Sequence, residues 1–593
     1  MRIRYLNGTR LYHAFLAGGE ALVRGRNILN SINVFPIADG DTGTNLAATV
    51  MAIRATSSPR RSIKETSRSI ADAALEGARG NSGIIFAQFI QGFSVGIGNT
   101  EVVCPTIFAD SIRQGVEYAY KAINKPVEGT MLTVMREWSE RFRHLLSQTT
   151  DFYDLLRESL HAARKSLDDT PQKLEVLARA GVVDAGAKGF VDFLEGILLF
   201  IMNGRIQDIL HEKPIEIESM PHTHMSPSEI MHRYCAEALV KGDSINLEHL
   251  KERLGVFGNS VIVAGTDTRA HIHLHTSVPA DAFAAVHEYG CIINQKVDDM
   301  KMQSAVNNER VSSIALVSDS ACDLPLEILD KYQIHIVPIG LSFGETTYLD
   351  KITVTPEHFY RILEHSKYFP KSSQPNEKTF ERLYSYLFDY YDSIIAIHLS
   401  SALSGTYHSS LRAAARFSDS KITVIDSCHL SGSLGLIMLR IAENIVEKRY
   451  ERERVISLID GWIARTKIIV EIESLEFLMR GGRLSPMKGF LAHMLHLKPV
   501  ISVNDKGKTI ILDTSFSREK SMQKSMAIIK KTLNESRIWK YAVLHANAPE
   551  AAAWYEQGML DLTGQKPEFT INISPVIALH AGAGAAGVAF MYE

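Results

Sequence analysis

Two aspartates one residue apart, Asp39 and Asp41, are the first residues of this sequence whose spacing could do chemistry. They lie in the stretch NVFPIADGDTGTNLA, residues 33–47. Residues two apart do not share a helix face, so the spacing favours a loop in which both carboxylates turn toward one point. Paired hard oxygen donors suit Mg²⁺ when water and phosphate complete its shell. For a bare D-G-D, an acidic surface turn is the more common interpretation.

Three further turns, each leading into a helical pattern, have the composition of phosphate contacts. They are GARGNSGII (residues 77–85), KPVEGTMLTV (125–134) and VVDAGAKGFV (182–191). Backbone N–H groups and the dipole at a helix start attract phosphate. Small-residue turns before helices are common, so none of the three establishes a site by itself.

In this order, the four stretches resemble the nucleotide-binding domain of dihydroxyacetone kinases, and more closely the ATP-binding subunit of bacterial fatty acid kinases, whose loop reads NVFPVPDGDTGTN. Ala38 stands where that family usually has a second proline. The resemblance implies an all-α helical barrel (DhaL-like) that holds Mg-ATP at one end, with Asp39 and Asp41 as metal ligands and catalytic residues. It also implies ATP contacts from Asn33, Thr42, Thr44, Asn45, Gly80, Asn81, Ser82, Gly83, Gly129, Thr130, Asp184 and Gly186.

One thiol and two imidazoles form a second candidate set: Cys235 in YCAE, and His273 and His275 in HIHLHT. Residues two apart in a strand share a face, so the two histidines could bind one ion, and Cys with two His is a reasonable zinc set. The alternative is an exposed strand with histidines and a buried cysteine. The region also resembles the middle domain of the ATP-binding chain of fatty acid kinases, which implies zinc on these three residues. His271 lies outside the motif and is expected to face solvent.

Apolar runs after Val311 alternate with helix-like stretches, which indicates a parallel sheet. The runs are IALVSDS, IHIVPIGLSF, SIIAIHLSS and KITVIDS. Ligands bind beyond the carboxyl ends of strands in such sheets. The polar residues placed there to hold a small anionic group are Ser318, Ser320, Ser400, Ser401, Asp426 and Ser427.

Five motifs in the last 283 residues resemble the DegV family, the fatty-acid-binding subunits of the same kinases: SDSACDLP, KSSQP, SSALSGTYHSS, RGGRLS and LHAGAGAAGV. Ser372 replaces the usual threonine, and Ala583 the usual proline. The resemblance implies that Ser372 and Ser404 hold the acyl head group, while Arg483 and His580 supply positive potential and assist transfer or docking as catalytic residues. The expected fatty-acid contacts are Ser318, Ser320, Ser372, Ser373, Ser401, Ser404, Gly405, Arg483 and His580. The apolar segment 487–503 is either part of the tail enclosure or ordinary core.

The elements that must position these groups fall into a multidomain plan. Helical periodicity covers the DhaL-like kinase domain, residues 1–205, and a polar, proline-bearing linker is predicted over 206–229. A small α+β middle domain is expected over 230–310. A two-part α/β DegV-like domain is expected over 311–593.

Bulk composition excludes several classes of protein. With 64 basic and 67 acidic residues the net charge is −3, so no strong field for nucleic acid or an anionic membrane is implied. The most apolar segments are too short or too charged to span a bilayer, and the N-terminus does not predict a signal peptide. Five scattered cysteines argue against a disulfide framework, and the protein is expected in the cytoplasm.

The sequence therefore predicts a fatty acid kinase in one chain, which converts a bound long-chain fatty acid and Mg-ATP into an acyl phosphate for phospholipid synthesis. Mg²⁺ and Zn²⁺ are the expected metals, a homodimer the expected assembly, and an acyltransferase the expected downstream partner. One alternative is a dihydroxyacetone-type kinase of a small hydroxyl substrate, which would need a base that an ionised carboxylate does not. Another is a lipid-binding carrier with a regulatory nucleotide domain, against which the intact Asp39 and Asp41 count.

Overall fold

The computed structural model describes residues 3–35, 40–204, 206, 231–417, 421–484, 497–533 and 537–593. Asp39, nearly all of the predicted linker and most of the segment 487–503 lie outside the described residues. The chain divides into two compact units, Met1–Lys301 and Met302–Glu593. Within the described parts of the chain, no helix has the length and apolar character needed to cross a lipid bilayer.

Helices dominate the described part of the first two hundred residues. They are α1 (Gly8–Ser31), α2 (Thr42–Thr56), α3 (Ile63–Gly77), α4 (Gly80–Ile97), α5 (Pro105–Ala122), α6 (Met131–Leu145), α7 (Phe152–Asp168), α8 (Thr170–Lys173), α9 (Glu175–Ala180) and α10 (Ala185–Asn203). Helices α1 to α7 each pack against the next along the chain, and α10 packs against α1, α6 and α7. This arrangement closes the helices into a barrel.

The apolar stripes of these helices meet inside the barrel. In α3, Ile63, Ile70 and Ala74 recur at the helical spacing and are buried. Phe142 and Phe190 belong to the same core. Apolar burial contributes about 25 cal/mol per Å², so this core stabilises the barrel more than local helix propensity does.

A four-stranded antiparallel sheet with two helices completes the first unit. Its elements are β1 (Tyr234–Lys241), α11 (Leu247–Leu254), β2 (Gly258–Gly265), β3 (Arg269–Thr276), α12 (Pro279–His287) and β4 (Cys291–Asp299). The strand order is β2-β3-β1-β4, and α11 and α12 cover one face through Leu250 and Phe283. The other face packs on the barrel, since Ile262 and Ala264 of β2 belong to the barrel core. Both faces of this sheet are therefore buried.

The described residues of the second unit form three sheets. The parallel sheet β11-β10-β5-β6 and the antiparallel sheet β8-β7-β9 come first, followed by the six-stranded mixed sheet β14-β13-β12-β17-β15-β16. The strands are β5 (Ile314–Asp319), β6 (Ile334–Val337), β7 (Gly340–Phe343), β8 (Thr346–Leu349), β9 (Lys371–Ser373), β10 (Ser393–His398), β11 (Ile422–Asp426), β12 (Thr466–Glu471), β13 (Lys498–Val503), β14 (Thr509–Ser515), β15 (Ile538–His545), β16 (Phe569–Asn572) and β17 (Ala586–Tyr592). The helices are α13 (Met300–Asn308), α14 (Leu326–Tyr332), α15 (Pro356–His365), α16 (Glu377–Phe388), α17 (Thr406–Ala414), α18 (Ser431–Val446), α19 (Arg452–Ala464), α20 (Glu476–Arg480), α21 (Arg518–Leu533), α22 (Pro549–Thr563) and α23 (Pro575–Ala581).

The predicted fold class is confirmed: a helical domain is followed by a small α+β region and an α/β domain. The four apolar runs do form a parallel sheet, with one refinement. The run IHIVPIGLSF is divided into β6 and β7, which belong to different sheets. Pro338 lies at the division. Proline has no backbone N–H to donate, so the hydrogen bonding of β6 cannot continue through it.

Candidate functional site

Four helices of the barrel, α2, α4, α6 and α10, begin close together. A Cβ atom added at Gly80 would lie 2.1 Å from Asn45 Nδ2, so the starts of α2 and α4 touch. A Cβ atom at Gly186 would lie 3.3 Å from Ser82 Oγ and 3.4 Å from Met131 Cβ, which brings α4, α6 and α10 together. Each helix start offers N–H groups and a positive dipole end, so their convergence favours an anion such as phosphate.

Gly80, the first residue of α4, has two reasons to be glycine. Its φ is +56°, in the left-handed region that glycine adopts without steric cost. The contact with Asn45 also leaves no room for a side chain. The turn at the start of α4 is therefore specified by backbone geometry rather than by a side chain of its own.

Several other expected ATP contacts have partners within the barrel. Asp184 caps α10, because its Oδ1 accepts a hydrogen bond of 2.7 Å from Ala187 N. Burial raises the pKa of Asp184 to about 6, against the effect of backbone hydrogen bonds from Ala187 and Met131. Asn30 Nδ2 donates to Thr44 Oγ1 at 2.9 Å and so joins α1 to α2. Asp184 and Thr44 are thus placed to hold helix starts in position.

The remaining residues of this set lie at the same helix starts. Asn33, Thr42 and Asn45 are buried. Asp41 is the N-cap residue of α2, but its side chain makes no capping hydrogen bond to that helix. Gly83 N donates to the backbone oxygen of Arg79, the N-cap residue of α4, and Asn81 Oδ1 is buried with no hydrogen-bond partner in the described part of the chain.

Gly129 and Thr130 form the turn before α6. Gly129 has a φ of +86°, and its N–H donates to Thr133 Oγ1 at 2.8 Å. Thr130 Oγ1 donates to Val127 O at 2.8 Å. Both hydrogen bonds are made within the turn, so the side chain of Thr130 stabilises the turn.

Cys235, His273 and His275 come together on one face of the sheet. Their candidate ligand atoms all lie within 4.8 Å of one another, and Cys235 Sγ is 3.9 Å from His273 Nδ1. The strand register explains this, because Cys235 lies opposite His275 and Glu237 lies opposite His273. Both histidines are buried, so the alternative of an exposed strand is wrong.

The donor set fits a zinc ion. His273 Nδ1 lies 3.9 Å from Cys235 Sγ, close enough for one ion to contact both atoms, and His273 Nε2 is buried with no hydrogen-bond partner among the described residues. Burial lowers the pKa of His275 to about 3, and the charge of His273 adds to this effect. A neutral imidazole is the form that binds a metal, and one thiolate with two imidazoles suits zinc.

His271 does not face solvent, so that expectation is wrong. Its side chain is buried and Nδ1 lies 3.2 Å from Leu75 O of α3. The strict alternation of β3 indicates one polar face, but the barrel covers that face. Burial accordingly lowers the pKa of His271.

Glu237 is a residue of this site that sequence reasoning missed. Its Oε1 accepts a hydrogen bond from Gly80 N and lies 3.3 Å from His273 Nδ1. Burial alone would raise the pKa of Glu237, but the hydrogen bond and charge of His273 outweigh it and lower the pKa to about 2. Its position two residues after Cys235 on a strand was the available signal, since such residues share a face.

A cavity of about 210 Å³ lies within the second unit. Its walls are mainly apolar and come from the six-stranded sheet, from α23 and from loops of the parallel sheet. The apolar lining residues include Ile339, Leu399, Leu430, Ile468, Val470, Ile501, Leu544, Ile573, Ile577 and Ala585. Such a cavity suits a ligand with a hydrocarbon portion.

Polar side chains in the lining come from four separate parts of the chain: strand β9, helix α23 and two loops. Ser372, Ser404, Arg483 and His580, all expected from the sequence, line the cavity together with Gly405. Arg483 Nε donates to Leu403 O at 3.0 Å, which holds the guanidinium beside the loop that carries Ser404. A hydroxyl, an imidazole and a guanidinium together can bind a carboxylate.

His580 and Arg483 differ in charge. Burial lowers the pKa of His580 to about 4, and the charge of Arg483 adds to this effect. His580 is therefore neutral near pH 7, and of the two only Arg483 supplies positive potential. His580 Nδ1 is buried with no hydrogen-bond partner among the residues described.

Ser318, Ser320, Ser373 and Ser401 do not line this cavity. Ser318 Oγ donates to Ile397 O at 2.8 Å, and Ser320 Oγ accepts from Ile339 N at 3.0 Å. Both are fully buried and bind the ends of neighbouring strands together. The expectation that Ser318 and Ser320 contact an acyl head group is corrected for this reason.

The other strand-end residues also bind backbone. Ser400 Oγ donates to Gly507 O at 2.9 Å, and Asp426 Oδ1 accepts from Ser401 N at 3.2 Å. Ser427 Oγ donates to His429 O at 3.2 Å. Five further polar residues line the cavity and were not anticipated: Gln374, Ser431, Ser502, Thr509 and His545. Gln374 lies in the KSSQP motif, and that motif could have identified it as a cavity residue. The sequence around His545 contains no such motif.

Three protein families match successive parts of the chain. Residues 36–199 match the DAK2 domain. Residues 231–307 match the FakA-like middle domain of fatty acid kinases. Residues 313–593 match the DegV family of uncharacterised proteins.

Curated relatives include staphylococcal proteins that are themselves uncharacterised. One from Staphylococcus epidermidis is 30% identical over 403 residues, which covers 63% of this chain and 71% of the relative. One from Staphylococcus saprophyticus is 32% identical over 308 residues, covering 50% of this chain and 56% of the relative.

Solved structures similar to this chain include DegV, a fatty acid binding protein from Bacillus subtilis. It has a TM-score of 0.44 and 28% identity, and the match covers 48% of this chain and 100% of that one. A fatty-acid-binding DegV family protein from Thermus thermophilus has a TM-score of 0.44 and 27% identity, covering 47% and 99% of the two chains. From the order of the three family matches and the relative from Staphylococcus epidermidis, the chain belongs to the fatty acid kinase family, with a DAK2 domain, a FakA-like middle domain and a DegV domain in one polypeptide.

Proposed function

We propose that this chain is a fatty acid kinase that carries both substrate sites in one polypeptide. A carboxylate oxygen of a long-chain fatty acid attacks the γ-phosphorus of ATP. The new bond joins that oxygen to phosphorus, and the bond between phosphorus and the β,γ-bridging oxygen breaks. The products are an acyl phosphate and ADP.

The observation that carries the proposal is the cavity of the DegV domain, in a chain that also contains a DAK2 domain. The cavity offers an apolar wall for a hydrocarbon chain and a group of polar side chains for a carboxylate. Ser372 and Ser404 are suited to donate hydrogen bonds to that carboxylate, and Arg483 to neutralise its charge. This combination favours a fatty acid over a small hydroxyl substrate.

No general base is required for this reaction. A fatty carboxylate is ionised at neutral pH, since carboxyl groups have pKa values near 4 to 5, about as in Asp and Glu. Catalysis then depends on position and on neutralising charge at the transferred phosphoryl group. Neutral His580, with a buried Nδ1, is suited to orient the carboxylate by a hydrogen bond.

At the nucleotide end, the converging starts of α2, α4, α6 and α10 would receive the phosphates. Asp39 and Asp41 would hold Mg²⁺, which when bound neutralises the charge of the triphosphate. Cys235, His273 and His275 would hold Zn²⁺, which when bound ties β1 to β3 at the face toward the barrel.

One chain with both sites raises the effective concentration of the acyl head group at the nucleotide. An acyl phosphate is a reactive mixed anhydride, so an acyltransferase of phospholipid synthesis would consume it. A homodimer in the bacterial cytoplasm remains part of this proposal.

The test is to incubate purified full-length protein with labelled ATP, Mg²⁺ and either oleate or dihydroxyacetone. Acyl phosphate, trapped with hydroxylamine as a hydroxamate, is the expected product. Triose phosphate would replace the proposal with a dihydroxyacetone-type kinase. Oleate binding without turnover would replace it with a lipid carrier.

A further inference from the structure

One side chain of the sheet reaches the start of a barrel helix. The Glu237 carboxylate on β1 accepts a hydrogen bond from the backbone N–H of Gly80, the first residue of α4. The contact joins residues 157 positions apart and is buried. It therefore depends on the tertiary packing of the sheet against the barrel.

Helix α4 has no cap of its own at this end. Arg79 is its N-cap residue, and the Arg79 side chain makes no capping hydrogen bond. The first N–H groups of a helix need partners, and a carboxylate is a strong one because of its charge. Glu237 supplies that partner from another element.

The same carboxylate oxygen contacts the metal cluster. Glu237 Oε1 is 3.3 Å from His273 Nδ1, and His273 Nε2 is buried without a hydrogen-bond partner in the part of the chain that the structure describes. His273 Nδ1 also lies 3.9 Å from Cys235 Sγ, so the carboxylate and the thiol meet at the same ring nitrogen, and a carboxylate beside a metal-binding imidazole orients its ring. Glu237 thus lies between the Cys235–His273–His275 set and the Gly80 turn.

We propose that Glu237 is a positioning residue that holds the Gly80–Gly83 turn in the shape that receives nucleotide phosphate, and that it couples this turn to the Cys235–His273–His275 cluster. The inference rests on the proposed function, because it assumes that the start of α4 receives phosphate. It adds a residue outside the nucleotide loops and the metal ligands to the phosphate site.

A second contact between the same two parts of the unit provides a matched control. Arg269 Nη1 of β3 lies 2.6 Å from Glu76 Oε1 of α3, and both side chains are about half exposed. The E76Q variant weakens this contact between sheet and barrel without touching the Gly80 turn. It reports what loss of packing alone does to nucleotide binding.

The experiment is isothermal titration calorimetry of the full-length protein with MgADP. The E237A variant should bind MgADP about ten-fold more weakly, because a charge-assisted hydrogen bond to the turn is lost. E237Q retains an oxygen that can accept a hydrogen bond from Gly80 N, so its affinity for MgADP should fall by about three-fold or less. E76Q should bind as the wild type does, and all variants should retain oleate affinity.

A coupling measurement tests the connection to the metal cluster. The single variant H273A should weaken MgADP binding, and the double variant E237A/H273A should bind no more weakly than E237A. In steady-state assays the KM for ATP should rise in E237A while the KM for oleate is unchanged.

Wild-type affinity in E237A, or an equal loss in E76Q, would overturn the inference and leave the proposed function standing. If the losses of MgADP binding free energy in E237A and H273A simply add in the double variant, the proposed coupling is overturned. If the wild-type protein does not bind MgADP, the proposed function and this inference both fail.

Discussion

The nucleotide end of the first unit and the cavity of the second unit present polar groups in different ways. Around the starts of α2, α4 and α10, side chains such as Asn30, Asp184 and Glu237 bind the protein itself. In the cavity, His580 and Arg483 are set into an apolar wall. Under the proposed function, phosphate would be received by backbone N–H groups, whose position other side chains must fix, whereas a carboxylate would be received by side chains directly. Substitutions should therefore act through geometry in the first unit and through direct contact in the second.

The largest expected effect follows loss of a proposed magnesium ligand. Asp41→Ala should lower acyl phosphate formation by about a thousand-fold, because the charge of the transferred group is no longer neutralised. MgADP affinity should fall with it, while oleate affinity is retained. Turnover by radiolabelled ATP and calorimetry check both, with E76Q as control. Full turnover in the Asp41 variant would contradict the assignment of Asp41 to the magnesium site, and with it the contrast between the nucleotide end and the lipid cavity.

Loss of a proposed zinc ligand should have the next largest effect. Cys235→Ala leaves two imidazoles, and zinc affinity should drop by at least about a hundred-fold. Zinc content after dialysis against a chelator, measured by atomic absorption, tests this. Cys291→Ala, on β4 and outside the cluster, should retain zinc as the wild type does. Equal zinc loss in both variants would count against the assignment.

His580→Ala should affect only the lipid end. Acyl phosphate formation should fall by about a hundred-fold, since an orienting hydrogen bond to the carboxylate is lost. MgADP affinity should stay at the wild-type value. A parallel loss of MgADP affinity, measured by calorimetry, would show that the two ends do not act separately.

Filling the cavity should weaken lipid binding by a smaller factor. Ala585 is buried and lines the cavity, so Ala585→Phe should lower oleate affinity by about ten-fold through overpacking. Ala553 is exposed on α22, and Ala553→Phe is the matched control. Oleate affinity, measured by displacement of a fluorescent fatty acid, should separate the two variants. Equal affinities would show that oleate lies elsewhere.

The smallest expected effect is a dependence of stability on pH in the second unit. Burial raises the pKa of Asp350 to about 7 from 3.8, against the charge of Lys351. A raised pKa means that the folded state binds the proton more tightly. The stability from protonated Asp350 is therefore fully present below pH 3.8 and is lost as pH rises through about 7.

Asp350→Asn should remove this pH-dependent loss of stability, which amounts to at most about 1.4 kcal/mol of unfolding free energy per pH unit. Urea unfolding of both proteins from pH 5 to pH 8 measures the difference in free energy of unfolding. That difference should shift in favour of the variant as pH rises. The exposed Asp460→Asn should track the wild type at every pH. A constant difference across pH would contradict the buried titration.

Motif and periodicity reasoning succeeded where a local rule fixes the structure. Glycine turns before helices and the apolar period of α3 both obey such rules. It failed for His271, because alternation along β3 predicts one polar face but cannot show that the barrel covers that face. It failed for Ser318 and Ser320 because a hydroxyl at a strand end binds a neighbouring strand as readily as a ligand.

The sequence by itself determined the order of the domains, the parallel sheet and the residue types from which each site is built, since these follow from patterns within short stretches of chain. Only the tertiary structure decided that Glu237 reaches Gly80, that Cys235 lies opposite His275, and that four distant parts of the chain place their polar side chains in one cavity wall. Contacts between residues far apart in the chain depend on which faces pack together. That choice is made by burial of the whole apolar surface, so no short motif records it.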